Sequence, residues 1–303
     1  MPIRRSAFPG LVLATLMLLL IPMGCVSIRR APLEVPAGVQ APTDPATRIE
    51  AYKKLFPELP ILKTGASRLI ASKGRLSGKE NMQFILLAVD RDNLRLNLFY
   101  TVNAKLLDVI VKDGMMTVIF YKAGDFPGAI FQGDIIGNQS PFGRRFGFEP
   151  WDLIPVFEVG QLVASGKFEA AGSERRPAFT PADLSAPGLP QKIELDPATG
   201  LPRRAVWSRP VERRWWQLCR KPAGLDVTYQ AWNAFKDDRM PQEPAHLMPA
   251  TFRMLNSNPK VVFDVRIENG YRYSPTVPAA AFVINANYKY YPLERLDEVL
   301  QDL

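Results

Sequence analysis

Between Ser67 and Tyr121 apolar side chains recur at every second position, in five runs separated by short polar turns. Ser67–Ser77, Met82–Asp90, Leu94–Tyr100, Leu106–Lys112 and Met115–Tyr121 therefore read as successive strands. Gly78 to Asn81, Arg91 to Asn93 and Asp113-Gly114 supply the turns. Asp-Gly between two apolar runs is a strong hairpin signal, because both positions accept positive φ. Strands in this order predict an antiparallel meander. Leu94, Leu96 and Leu98 share one face with Arg95 and Asn97 opposite. Leu107, Val109 and Val111 likewise alternate with Asp108, Ile110 and Lys112. Met82 to Val89 is apolar on both faces apart from Gln83, which predicts a strand that is covered on both sides or central.

Elsewhere the period changes. Thr47–Leu55 has apolar or small residues at helical spacing and stops at Pro57, which predicts a short helix. Phe148–Val163 repeats the spacing at Trp151, Ile154, Phe157 and Leu162. Glu149-Pro150 suits its start, and Pro155 with Gly160 leaves it as one short helix or two fragments. Ala170–Pro190, rich in Pro, Ser and Ala, reads as an exposed connection. Strands resume at Gln191–Leu195 and, after the Asp196–Gly200 turn, at Leu201–Ser208. Trp215–Arg220, Val227–Phe235, Ala250–Asn256 and Val261–Asn269 are further candidates. In Tyr288–Leu303 the residues Leu293, Leu296, Val299 and Leu300 fit a terminal amphipathic helix.

The first 24 residues are different in kind. Arg4 and Arg5 precede an apolar run from Ala7 to Met23, and Gly24-Cys25 closes it with no acidic residue before it. The run is short and interrupted for a membrane span, which takes roughly 20 apolar residues. It resembles the lipobox of bacterial lipoprotein precursors, where a small residue precedes a cysteine that is lipid-modified before cleavage. Pro22 departs from the Leu usual in that motif. The alternatives are a lipidated Cys25 and a plain secretory signal or uncleaved anchor. Residues 25–46 would then form a lipidated, Pro-rich tether. Val26, where inner-membrane retention signals carry Asp, implies by the same resemblance an outer-membrane destination, with the folded part at the periplasmic face.

Composition fits an exported, folded product. The chain has 303 residues, 47% hydrophobic and 22% charged. Its formal charge of +8 falls to +6 once Arg4 and Arg5 leave with the leader. The remaining cations are scattered, which suits anionic headgroups or envelope polymers; the compartment excludes nucleic acid as a partner. With Cys25 acylated, Cys219 is the sole thiol, so no intramolecular disulfide forms; beside Trp215, Trp216 and Leu218 it reads as a small hydrophobe.

Catalytic signatures are missing. His246, the only histidine, lies among prolines and reads as a surface or turn residue. There is no Gly-x-Ser-x-Gly elbow, phosphate-binding Gly-rich loop, Cys-x-x-Cys pair or metal-ligand spacing, so neither an enzyme nor a cofactor is implied. Asp134, Glu149, Asp152 and Glu158 read as solvated charges around the helical insertion. Arg213-Arg214-Trp215-Trp216 suits an anionic headgroup or glycan, and equally the two faces of one strand. Arg144-Arg145 and Arg175-Arg176 are candidates for a basic rim around a cavity mouth.

The helix, the phrase KGRLSG leading to LRLNLFY, then LLDVIVKDGMMTVIFY, the insertion after FGFEPWDLIPVF and the returning strands resemble the LolA/LolB-like lipoprotein carriers, over Ile49 to about Asn269. The resemblance implies a mainly β fold with helices (α+β), an open, curved antiparallel half-barrel capped by short helices. That body would span residues 47–290 and a C-terminal helix 291–303. It further implies an apolar concave face holding acyl chains of lipids or lipoproteins. Leu86, Leu96, Leu98, Val109, Val111, Val118 and Phe120 are the expected lining, and Phe99, Tyr100 and Val102 the nearest counterpart of a protruding apolar loop. A structural lipoprotein with a filled core, docking an envelope partner, competes with the carrier, since alternation reports only which face is dry.

Overall fold

The computed structural model describes residues 31–42, 44–56, 61–65, 67–73, 81–101, 104–121, 128–135, 140, 142–143, 148–183, 188–208, 224–235, 246–256, 262–268, 271–272, 277 and 279–296. The leader with Pro22 and Cys25, the Trp215–Arg220 run with Cys219, the arginine pairs at 144–145 and 213–214, Val102, Val299 and Leu300 lie outside them.

Two meanders lie side by side in one sheet. The first comprises β2 (Ser67–Lys73), β3 (Asn81–Asp90), β4 (Asn93–Thr101), β5 (Ala104–Lys112), β6 (Met115–Phe120) and β7 (Ala129–Asp134). The second comprises β8 (Phe168–Ser173), β9 (Arg176–Pro181), β10 (Lys192–Leu195), β11 (Pro202–Ser208), β12 (Gly224–Phe235), β13 (His246–Asn256) and β14 (Val262–Ile267). Each strand pairs antiparallel with its neighbour in sequence, and β14 pairs with β2 to join the wings. Short strands β1 (Leu62–Thr64) and β15 (Tyr271–Arg272) pair with each other off this path. β16 (Tyr290–Pro292) adds a parallel edge to β7. The far edges, β8 and β16, do not meet, so the sheet is open. This is the fold class that the sequence leads one to expect.

The local chemistry explains the elements. Asp113 and Gly114 both take positive φ, 51° and 78°, as a tight hairpin between strands of right-handed twist requires. Asp44 caps helix α1 (Pro45–Leu55), accepting the Thr47 N–H at 2.9 Å, with Pro45 in the first turn. The insertion is a 3₁₀ turn, Pro150–Asp152, followed by α2 (Leu153–Phe157) and α3 (Val159–Ala164). Gly160 is where α3 meets α1: a Cβ there would run into the Phe56 ring.

Several expectations need correction. Ala170–Pro190 is not simply a connection, because β8 and β9 form a hairpin within it. Small residues Ala170, Ala171 and Gly172 hide the alternation, and a Cβ on Gly172 would strike the Arg176 carbonyl across the strand pair. His246 is buried, opposite Phe235 at the start of β13. Pro249 sits in that strand opposite Trp232, beside a register shift at Ala231/Trp232, and proline within a sheet is found at such irregularities. Tyr290–Pro292 is a strand and Leu293–Arg295 a single 3₁₀ turn, so helix is not how this segment begins. Leu33 and Ala41 are buried, and Glu34 pairs with Ala231 and Trp232 of β12, so this part of the expected tether belongs to the folded body.

β3 is central rather than covered on both sides: Ile85 and Leu87 are half-buried and Val89 is exposed on its outer face. The doubly covered strands are β5 to β7. Their outer residues Ile110, Ile119 and Ile130 pack under Phe282, Ile284, Ala286 and Tyr288. Beneath this strap Asp108 is fully buried. One carboxylate oxygen accepts from Arg95 Nη2 (2.6 Å), Lys105 Nζ (2.8 Å) and the Tyr121 hydroxyl (2.8 Å). Arg95 Nη1 continues to the Ala281 carbonyl at 2.7 Å and so ties the strap to the ion pairs. Removing one member of a buried pair strands the others, so Asp108→Ala is expected to cost about 3–5 kcal/mol in urea unfolding. Hydrogen exchange across residues 279–288 should speed up in the same variant.

Candidate functional site

The ladder register gathers the expected lining residues into rows on the inner face. Leu86, Leu96, Val109, Val118 and Phe131 are successive partners across β3 to β7. One step up, Phe84, Leu98, Leu107, Phe120 and Ala129 form a second row. One step down lie Ala88, Leu94, Val111 and Met116. All seven expected residues are buried in a single apolar cluster. That cluster continues across the seam onto the other wing, through Phe263, Met254, Val227, Ala205, Ile193 and Phe179, again successive partners. Apart from β9, the sequence marks those strands, but their shorter runs and the intervening prolines hide that they extend the same face.

Helices α1, α2 and α3 and the Leu33–Ala41 segment cover this face. Phe56 lies edge-on to Trp232, Phe157 edge-on to Phe252 and Tyr271, and Phe148 edge-on to Phe263. The polar atoms carried into the layer are paired with carbonyls: Tyr52 Oη to Gly200 (2.7 Å), Tyr229 Oη to Val156 (2.8 Å) and Trp232 Nε1 to Pro202 (3.1 Å). Burial pushes the phenols of Tyr52 and Tyr229 well above their ordinary range, so both stay neutral donors.

Phe99 and Tyr100 end β4 at the rim where β11 also ends; Phe99 is half-buried and Tyr100 exposed, and Val102 lies outside the described residues. Arg175 and Arg176 are exposed at the β8–β9 turn, at the opposite ends of the strands from this rim. A cleft of about 90 Å³ between Asn233, Ala234, Phe235, Ala250, Ile267 and Tyr271 is also at that opposite end. It holds roughly three water volumes, too few for an acyl chain.

The carboxylates around the insertion are not all solvated. Asp134 is exposed, but Glu149 is buried and accepts from Ser140 N (2.8 Å) and Ser140 Oγ (2.6 Å), while its own N–H donates to Asp152 (2.7 Å). It organises the loop, and a Cβ on Gly143 would overlap its carboxylate. Glu158, at the α2–α3 junction, is partly buried without a side-chain hydrogen bond among the described residues, and burial raises its pKa from 4.5 to about 7. Among the described residues no group of three His, Cys, Asp or Glu could hold a metal ion. Nor is any described helix long and apolar enough to cross a membrane.

No family model matches the sequence, and no curated protein does. Similar solved structures include a LolA superfamily protein from Nitrosomonas europaea, with 11% identity and a TM-score of 0.41 over 78% of this chain and 95% of that one. A DUF1329 family protein from Desulfovibrio piger matches at 10% identity and a TM-score of 0.41, covering 80% and 95%. A domain described as an outer membrane lipoprotein-sorting protein, from Vibrio parahaemolyticus, matches at 11% and 0.39, covering 79% and 95%.

The Glu158 carboxyl gives the helical layer a pH dependence with a definite sign. Its folded pKa lies above its unfolded one, so the folded state holds the extra proton between pH 4.5 and about 7. Stability is then greatest below pH 4.5, falls as pH rises to about 7, and is level in this respect above it. Glu158→Gln is expected to remove that fall and to gain on the order of 1–3 kcal/mol at pH 8, measured by urea unfolding at pH 5 and pH 8.

Proposed function

We propose that this chain is a cell-envelope lipoprotein, anchored to the outer membrane through acylated Cys25, that holds the acyl chains of a lipid or lipoprotein against the inner face of its open sheet. The observation that carries this reading is a continuous apolar inner face spanning both wings, covered, among the described residues, by short helices and loop segments. Helices of five, six and eleven residues have little stability of their own. Their place is set by packing, and an acyl chain offers the sheet the same kind of contact. Burying half of a sixteen-carbon chain, at about 0.8 kcal/mol per methylene, is worth about 6 kcal/mol, a Kd on the order of tens of micromolar. Such binding needs no covalent step, and of the carboxylates around the insertion Glu149 and Asp152 are engaged in loop hydrogen bonds.

A second reading has an observation of its own. The seven expected lining residues are at most 8% exposed, as in a permanently filled core. A scaffolding lipoprotein would look like this, with its loops docking an envelope partner.

Uptake of a fluorescent fatty acid by the purified full-length protein separates the two. The carrier is expected to bind it in the micromolar range and to release co-purified lipid in native mass spectrometry; no uptake and no lipid favour the scaffold. Leu98→Glu, at the rim, is expected to fold and to weaken uptake at least tenfold. Val109→Glu, with no exposure, is expected to unfold. Radioactive palmitate is expected to label the wild type and not Cys25→Ser.

A further inference from the structure

Burial of the inner face is graded along the strands. On β4 exposure rises from Leu94 (0%) through Leu96 (3%) to Leu98 (8%). On the other wing it rises from Ala205 (0%) to Trp207 (8%) along β11, and from Val227 (0%) to Leu225 (6%) along β12. With β2, β3, β12, β13 and β14 alternating between them, the ends of β4 and β11 fall on one rim. Along β4 and β11 the inner face is least buried at that rim.

Trp207 stands on this rim, opposite Leu225, within the same buried cluster. Its indole Nε1 is buried and has no hydrogen-bond partner among the described residues. Buried indole N–H groups ordinarily find an acceptor, and an orphan costs roughly 1–3 kcal/mol. The contrast within the molecule is sharp. Trp232, Tyr52 and Tyr229 each reach a backbone carbonyl on the inner side. Trp207 alone of these four carries an unmet donor, and it does so at the place where a chain entering the interior would leave its polar end.

We propose that the rim bearing Leu98, Leu225 and Trp207 is the entrance to the acyl-chain site, and that the Trp207 indole N–H donates to the carbonyl oxygen at the head of a bound acyl group. This rests on the carrier reading above. The ligand class it defines is an acyl ester or amide, with the hydrocarbon directed from Trp207 past Ala205 and Val227. A plain hydrocarbon of equal length gains the apolar contacts but not the hydrogen bond.

The test is displacement of a fluorescent polyene fatty acid from the full-length protein by methyl palmitate and by hexadecane, in wild type and Trp207→Phe. The expected result is that Trp207→Phe weakens methyl palmitate about tenfold and leaves hexadecane unchanged. Equal loss of both competitors, or loss of neither, overturns the indole contact while the carrier reading stands. If wild type takes up neither the polyene nor the competitors, both fall. The wild-type indole supplies a second measurement that needs no substitution: in a ¹H–¹⁵N spectrum the Trp207 Nε1–H proton is expected to move downfield with methyl palmitate and not with hexadecane. A resonance unmoved by saturating methyl palmitate contradicts the proposal.

Discussion

The structure depends on one constraint: its large antiparallel sheet never closes, so the apolar face it builds has to be covered by something other than strands. A closed barrel satisfies both its edges and its interior at once. Here β8 and β16 remain apart, and the interior is met by α1, the α2–α3 pair and the Leu33–Ala41 segment. Register is what keeps this workable. A slip of one residue at any ladder would turn Leu86, Leu96, Val109 and Val118 outward together. Specific contacts hold the cover in place: the Phe56 ring on Gly160 joins α1 to α3, Tyr229 of β12 donates to the Val156 carbonyl of α2, and Tyr52 of α1 donates to the Gly200 carbonyl before β11. A cover held in this way is stable while packed and has little helical stability to retain once displaced.

The outer face solves a different problem. β5 to β7 carry apolar residues outward as well as inward, and the 279–288 strap covers the outward isoleucines Ile110, Ile119 and Ile130. The price of that second cover is a buried carboxylate. Asp108 meets two cations and a phenol through one oxygen, and Arg95 passes the connection on to the strap. Breaking such a cluster costs more than its net contribution, so it fixes where the strap lies more than it stabilises the fold.

Much of this was legible in the order of residues. β2 to β6 match their alternating runs closely, because period-two patterning and the Asp113-Gly114 turn act locally and agree with each other. The insertion resolves into two helical fragments around Glu158, one of the alternatives its Pro155 and Gly160 leave open. The β8–β9 hairpin was hidden because Ala and Gly form a ladder through backbone bonds without showing a face. His246 looked like a turn residue because proline next to a bulge cannot be told from proline in a loop. Alternation places Asp108 on the face opposite Leu107, Val109 and Val111, but does not say whether a distant segment will return to cover that side.

The inner face of the first wing was likewise readable, since alternation marks the dry side directly. Its continuation through Ala205, Val227 and Met254 was not, because joining the wings depends on β14 pairing with β2, a contact between residues far apart in the chain. Trp207 carried no mark either; its unmet donor is a property of three-dimensional surroundings. The question the sequence left open, a displaceable cover or a permanent core, is also the one on which function turns. A photoactivatable diazirine fatty acid, bound to the full-length protein, irradiated and mapped by peptide mass spectrometry, addresses it directly. Labels on Leu96, Leu98 and Val109 of the inner face, competed away by unlabelled palmitate, are the predicted result. Labels confined to outward residues such as Val89, Val283 and Tyr290, or not competed, would contradict an acyl-chain site inside the sheet.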